Sequence, residues 1–256
     1  MRLYHDDDQV RLWLGDARDM DPIPDRCAGL VLTCPPWWDG GDYGHPDQIG
    51  FGQTYPDFLA SLSRVWAHCL RCLMPGRAIV VWIADLLWRE EPVALVADTH
   101  RGLREAGFQY EATWYWFEPG KKPRKEAADV RLPLGCRPKV HAETILVYRK
   151  PGEPGPPAPG VMEKSRVPEE AWQAGRQAVW TPDENLEDPY RRLIRLWSYA
   201  GETVLDPFAG QGAIALAARS LERRCVTVEL NPESCRHIAA LLAAPHMPCS
   251  ASRRRR

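Results

Sequence analysis

The run Ala78 to Ala84 reads AIVVWIA and Gly29 to Thr33 reads GLVLT, both apolar without the two-residue alternation of a strand that keeps one wet face. Strands of this kind need cover on both sides, which an open sheet layered between helices provides. Five further strand-like runs accompany them: Val10 to Leu14, Gln109 to Phe117, Glu143 to Tyr148, Glu202 to Asp206 and Arg224 to Glu229. Helical patterns fill the gaps at Tyr55 to Leu73, Glu91 to Ala106, Pro189 to Tyr199, Ala213 to Leu221 and Pro232 to Ala243, each bounded by Gly, Pro or a capping residue. Seven strands alternating with helices predict a doubly wound, Rossmann-like α/β fold, with residues 1–256 as a single domain.

Composition narrows the setting. The longest apolar stretches fall far short of the ~20 residues that cross a bilayer, and the chain starts MRLYHDDDQV, so neither a membrane nor a secreted protein is expected. Eight cysteines are scattered through a chain too long to need disulfide stapling, which fits a reducing cytoplasm. Cys69 and Cys72 sit inside a helical pattern with no second pair at zinc-ribbon spacing, so helix packing is expected there and no metal. The net charge of −1 speaks against coating nucleic acid through bulk positive charge, but leaves room for a local basic patch.

Three segments break the strand and helix rhythm. Trp38 to Gln53 is rich in Gly and Asp and follows a strand directly, as a loop at the ligand-binding carboxyl edge of such a sheet does. Residues 117–140 carry Lys121, Lys122, Arg124, Lys125, Arg131, Arg137 and Lys139. They read either as a grip on phosphates or as a solvated loop with Glu126 and Asp129 interspersed. Residues 151–178 open with PGEPGPPAPG, a linker or surface loop, and residues 249–256 are expected to be a disordered tail.

Two motifs carry chemistry. Val204-Leu205-Asp206-Pro207-Phe208-Ala209-Gly210-Gln211-Gly212 passes from a strand through an acid to two glycines that open a helix, a turn over which a ligand can approach the backbone closely. Glu229 ends the next strand near the offset of ~20 residues at which ribose-binding carboxylates follow a glycine loop. A third glycine and a Gly-Lys-Ser/Thr are both missing, so the pattern suits a nucleoside without a pyrophosphate, or else a plain strand-to-helix turn with surface acids. In Thr33-Cys34-Pro35-Pro36-Trp37-Trp38, the prolines lack N–H groups and hold a rigid path, leaving carbonyls free to accept. Fixed acceptors beside an aromatic face are what an extruded base with an exocyclic amine needs; a proline turn with a packing tryptophan is the alternative.

Together these residues resemble the DNA amino-methyltransferases. DPFAGQG with Glu229 is similar to their cofactor motifs and TCPPWW to their (Ser/Thr/Asn/Asp)-Pro-Pro-aromatic catalytic motif, in the permuted order of the β class. The resemblance extends over Leu14-Gly15-Asp16, the Arg137-Pro138 and His141/Glu143 region and Val179-Trp180-Thr181. It implies S-adenosylmethionine as cofactor, with Asp206, Phe208, Gly210 and Gly212 at its methionine end, Glu229 on the ribose, Asp16 near the adenine and Thr33 beside them. It also implies catalysis through Cys34, Pro35, Pro36 and Trp37. Two departures stand out: Cys34 occupies the polar first position although a thiol is a weak hydrogen-bond partner, and Gln211 and Ala213 stand where hydroxyl residues are common.

The family's chemistry then implies methyl transfer to an exocyclic amine of a flipped base in double-stranded DNA, the small first residue leaning toward cytosine N4 over adenine N6. Lys121, Lys122, Arg124, Lys125 and Arg137 are the expected DNA contacts, with residues 117–140 and 151–178 as DNA-contacting insertions. A homodimer and a cognate restriction endonuclease are expected partners. The competing readings are an RNA or small-molecule methyltransferase and a nucleoside-binding protein without catalysis.

Overall fold

The computed structural model describes residues 1–89, 91–119, 142–182 and 187–244. The strands are β1 (Arg2–Asp6), β2 (Val10–Leu14), β3 (Ala28–Thr33), β4 (Leu73–Ile83), β5 (Leu86–Trp88), β6 (Glu91–Val93), β7 (Gln109–Phe117), β8 (Ala142–Arg149), β9 (Val179–Trp180), β10 (Thr203–Asp206) and β11 (Arg224–Glu229). The helices are α1 (Tyr55–Cys72), α2 (Leu95–Glu105), α3 (Pro159–Lys164), α4 (Glu169–Gly175), α5 (Pro189–Trp197), α6 (Ala213–Ser220) and α7 (Pro232–Ala243).

Among the described residues, nine strands form one mixed sheet in the order β1-β2-β11-β10-β3-β4-β8-β7-β9. The seven predicted strands are its middle seven, running parallel from β2 to β4, with β8 antiparallel to both β4 and β7. Alternate residues of the buried strands feed two cores. Val31, Ile79 and Val81 face Phe58, Leu62, Val65 and Trp66 of α1 and Leu103 of α2. Leu30, Leu32, Val80 and Val204 face Leu193 and Ile194 of α5, Ile214 and Ala218 of α6 and Ile238 of α7. Each such Val, Leu, Ile or Phe side chain contributes about 1.5–3 kcal/mol when fully buried. Cys69 and Cys72 are spent in the first of these cores.

Three local predictions are corrected. The helix expected over Glu91 to Ala106 starts only at Leu95, because Glu91–Val93 pairs with Leu86–Trp88 as a hairpin and the cap comes from a distance: Val96 N donates to Asp85 Oδ1 at 2.8 Å. The strand expected from Ala78 begins at Leu73, directly after α1. The linker over Pro151 to Gly160 gives way to helix at Pro159, whose fixed φ suits the first turn of α3. Strands β1 and β9 were not expected; both lie on the outer edges of the sheet. Residues 151–158 run along the amino edge of the sheet beside Pro75, Arg77 and Glu202, whereas β9 returns to β7. Lys121, Lys122, Arg124, Lys125 and Arg137, and the tail 249–256, lie outside the described residues.

Candidate functional site

Strands β10 and β3 lie side by side at the point where strand order reverses: the chain continues from β10 outward to β11, and from β3 the opposite way to β4. Ligands of open α/β sheets bind at the carboxyl ends of strands at such a switch. Both sequence motifs open from it.

Asp206 closes β10 fully buried, its Oδ1 accepting from the Thr33 hydroxyl at 3.0 Å and from Phe208 N at 3.1 Å. Burial pushes this carboxyl up to about 7 and the Glu229 charge adds to the shift, while the Phe208 and Thr33 hydrogen bonds oppose it. Thr227 donates its hydroxyl to the Asp206 carbonyl, tying the neighbouring strand to the same point. At Gly212 the backbone takes φ of +81° at the head of α6, and a Cβ would press on Ile238 at 3.1 Å, so the turn requires glycine on both counts.

Glu229 is held from two sides, Oε2 accepting from Gly210 N and Oε1 from Asn231 N, each at 2.8 Å. Burial raises its pKa against these backbone bonds. Gly15 N donates to the Glu229 carbonyl at 2.9 Å, which brings the following Asp16 to this edge. The Asp16 carboxylate is gripped by Arg18: burial pulls its pKa up, yet the Arg18 side-chain and backbone hydrogen bonds outweigh that and lower it. Arg18 also donates to the Asp47 carbonyl at 2.9 Å, and Asn231 Nδ2 to the Tyr43 carbonyl at 2.9 Å, so the loop expected after the proline pair reaches across to the Glu229 turn.

On the other side of the switch, Thr33 and Pro35 are buried, while Cys34, Pro36 and Trp37 are half-buried. Trp37 packs partly against the first core, and the second tryptophan is the one buried in it. Trp38 lies between Tyr55 and Trp88, ring centroids 4.8 and 4.7 Å away, and donates to the Gln53 carbonyl at 2.9 Å. Gly50 lets the loop close over it, since a Cβ there would stand 2.5 Å from the Trp38 carbonyl oxygen. Trp88 donates to Asp39 at 2.9 Å, so the β5–β6 hairpin braces the motif from outside.

The structure adds a group that sequence reasoning missed. Tyr190, in the first turn of α5, packs in the same cluster as Cys34 and stands 5.3 Å ring to ring from Trp82. Trp82 in turn stacks at a tilt on Trp116 and donates to Glu143 at 2.6 Å. The run Asp188-Pro189 gave the helix start, with Asp188 capping Tyr190 and Arg191, but nothing local says that its first turn meets a motif more than a hundred residues upstream.

A mixed seven-strand core with an acid and glycine turn at the switch point defines the S-adenosylmethionine-dependent methyltransferase fold. Residues 28–240 match the N6/N4 methyltransferase family, described as DNA methylase, and the chain belongs to that family. Type II methyltransferase M.MjaI of Methanocaldococcus jannaschii is 27% identical over 86% of this chain and 87% of that enzyme. Type II methyltransferase M.XycI of Xanthomonas campestris pv. cyanopsidis is 26% identical over 87% of this chain and 84% of its own length. The Thermus thermophilus protein TTHA0409, solved in complex with S-adenosyl-L-methionine, superposes with a TM-score of 0.73 at 30% identity, covering 91% of this chain and 92% of that one. The cytosine-N4-specific PvuII DNA methyltransferase shares the fold, with a TM-score of 0.69 over 96% of this chain and 90% of its own. The protein is a DNA methyltransferase of the N4/N6 class, and S-adenosylmethionine is its cofactor. The donor set fits that group: a backbone-braced carboxylate at Glu229, a buried carboxyl at Asp206 and the glycine turn of Gly210 and Gly212 between them. No helix among the described residues is long and apolar enough to cross a membrane.

Proposed function

We propose that this chain methylates the exocyclic N4 amine of a cytosine flipped out of duplex DNA, with adenine N6 as the alternative target. The observation that carries this reading is the adjacency of Cys34-Pro35-Pro36-Trp37, at the end of β3, to the Asp206–Gly212 turn at the end of β10, joined by the Thr33–Asp206 hydrogen bond. Glu229 would bind the ribose hydroxyls, and Asp206, Phe208, Gly210 and Gly212 the methionine end, with Thr33 bracing Asp206 from below. Asp16 contributes to the same wall through the loop that Arg18 ties down.

The amine is a poor nucleophile because its lone pair is delocalised into the ring. A Pro35 carbonyl accepting one N–H, with the side chain at position 34 on the other, favours a more tetrahedral nitrogen, and Trp37 holds the base by stacking. S-adenosylmethionine held by these residues would supply its methyl as an electrophile, its sulfur keeping the bonding pair as the new N–C bond forms, and the amine would give up one proton to water. No covalent enzyme intermediate is required.

The basic segment departs and returns beside this edge. Phe117 and Ala142, which flank it, are register partners at the ends of β7 and β8, and Thr144 pairs with Ile83 at the carboxyl end of β4. That placement supports Lys121, Lys122, Arg124, Lys125 and Arg137 as phosphate contacts. The segment 151–178 leads into β9, which pairs with Tyr115 and Trp116 of β7. Homodimerisation and a partner endonuclease belong to the same proposal. The test is transfer of labelled methyl to duplex DNA followed by nucleoside mass spectrometry. N4-methylcytosine is the expected product; N6-methyladenine would shift the target base, and neither modification on any DNA would overturn the reading.

A further inference from the structure

The weak point of the catalytic motif is its first side chain. A thiol accepts hydrogen bonds poorly, so Cys34 leaves the second amine proton of the target base without a strong acceptor. The cluster around it contains a stronger group. Tyr190 enters from α5, which packs on β3 and β4, and shares a packed cluster with Cys34. Its phenol oxygen lies within electrostatic reach of Cys34, Asp206, Asp188 and Glu143, the first two from the two motifs, the third from its own helix cap and the last from β8. Its ring is fixed by Trp82, itself held by Trp116 and by the bond to Glu143, so the hydroxyl is placed by packing and has little rotamer freedom to lose on binding.

We propose that the Tyr190 hydroxyl is a catalytic hydrogen-bonding group, accepting from the exocyclic amine in place of the side chain that Cys34 cannot supply. This rests on the assignment of Cys34 to Trp37 as the amine-binding motif. Burial, reinforced by the acidic groups around it, raises the phenol far above its ordinary range. The hydroxyl therefore keeps its proton throughout: it orients the amine through an oxygen lone pair and does not act as the base, and the amine proton leaves to water.

The experiment is a double-mutant cycle of Tyr190→Phe with Cys34→Ser, read by single-turnover methyl transfer to duplex DNA, by cofactor affinity in calorimetry and by thermal unfolding. Tyr190→Phe keeps the ring against Trp82 and removes only the oxygen. Its transfer rate is expected to fall about 10-fold or more, with cofactor affinity and unfolding temperature unchanged. In the Cys34→Ser background the same substitution should cost less than about 3-fold, because the serine hydroxyl restores an acceptor. A full transfer rate in Tyr190→Phe, or an equal loss in both backgrounds, would overturn the role of Tyr190 while leaving the base-methylation reading in place. Absence of any transfer by the unsubstituted protein would remove both.

Discussion

The Thr33 hydroxyl donates to Asp206 Oδ1 across 173 residues of sequence, joining the strand that ends in the proline pair to the strand that ends in the glycine turn. With Thr33 fully buried, Thr33→Val keeps the shape and removes the donor. A loss of about 1–3 kcal/mol in urea unfolding is expected, because Asp206 Oδ1 then keeps only the Phe208 amide.

Asp206 itself makes stability depend on pH in an unusual direction. Its carboxyl is pushed up to about 7 in the folded chain, chiefly by burial, so the native state holds a proton that the unfolded chain has released. The contribution is complete below the ordinary carboxylate range and drains away as pH rises through about 7. The urea midpoint should therefore decline between about pH 5 and pH 8 relative to Asp206→Asn, which carries no titrating group there. Parallel curves for the two proteins would contradict this.

Glu229→Ala removes the carboxylate that Gly210 N and Asn231 N brace. Calorimetry should show S-adenosylmethionine binding weakened at least about 10-fold, the worth of a charge-assisted hydrogen bond to a ribose hydroxyl. Cofactor affinity equal to that of the unsubstituted chain would remove Glu229 from the ribose site.

The adjacent tryptophans should separate by phenotype. Trp38→Ala empties a buried site between Tyr55 and Trp88 and is expected to cost about 3–5 kcal/mol of stability. Trp37→Ala, at a half-buried position only partly packed on the same core, should cost clearly less stability and depress methyl transfer. Equal destabilisation by the two would assign Trp37 to packing.

Replacing Lys121, Lys122, Arg124 and Lys125 together with Gln should weaken duplex binding and flatten its dependence on salt, leaving cofactor affinity intact. Fluorescence anisotropy across a salt series reads both quantities, and an unchanged slope would free this segment from phosphate contact.

The central strands and the two motifs were legible because their information is local: a continuous apolar run such as AIVVWIA, or an acid followed by Pro and spaced glycines, declares its environment within a few residues. What escaped depends on distant partners. The cap of α2 is Asp85, from beyond an intervening hairpin, and β9 is two residues long, a strand only because Tyr115 and Trp116 lie beside it. Asp16 was expected beside the cofactor only through the family resemblance, and its capture by Arg18 concerns side-chain reach, which no pattern of residue types encodes. Tyr190 belongs with these: its partners Cys34, Trp82 and Glu143 come from three other stretches of chain.

Because Phe117 and Ala142 are register partners, the chain leaves the sheet and re-enters it one interstrand spacing away. A doorway so narrow tolerates inserts of almost any length: doubling a flexible loop costs only about 0.6 kcal/mol of closure entropy. The hairpin is thus a socket, and the sequence between its two strands could be exchanged without moving Thr33, Asp206 or Glu229. On the proposed reading, contacts with DNA and the chemistry of methyl transfer would then be separable traits, written in different parts of one chain.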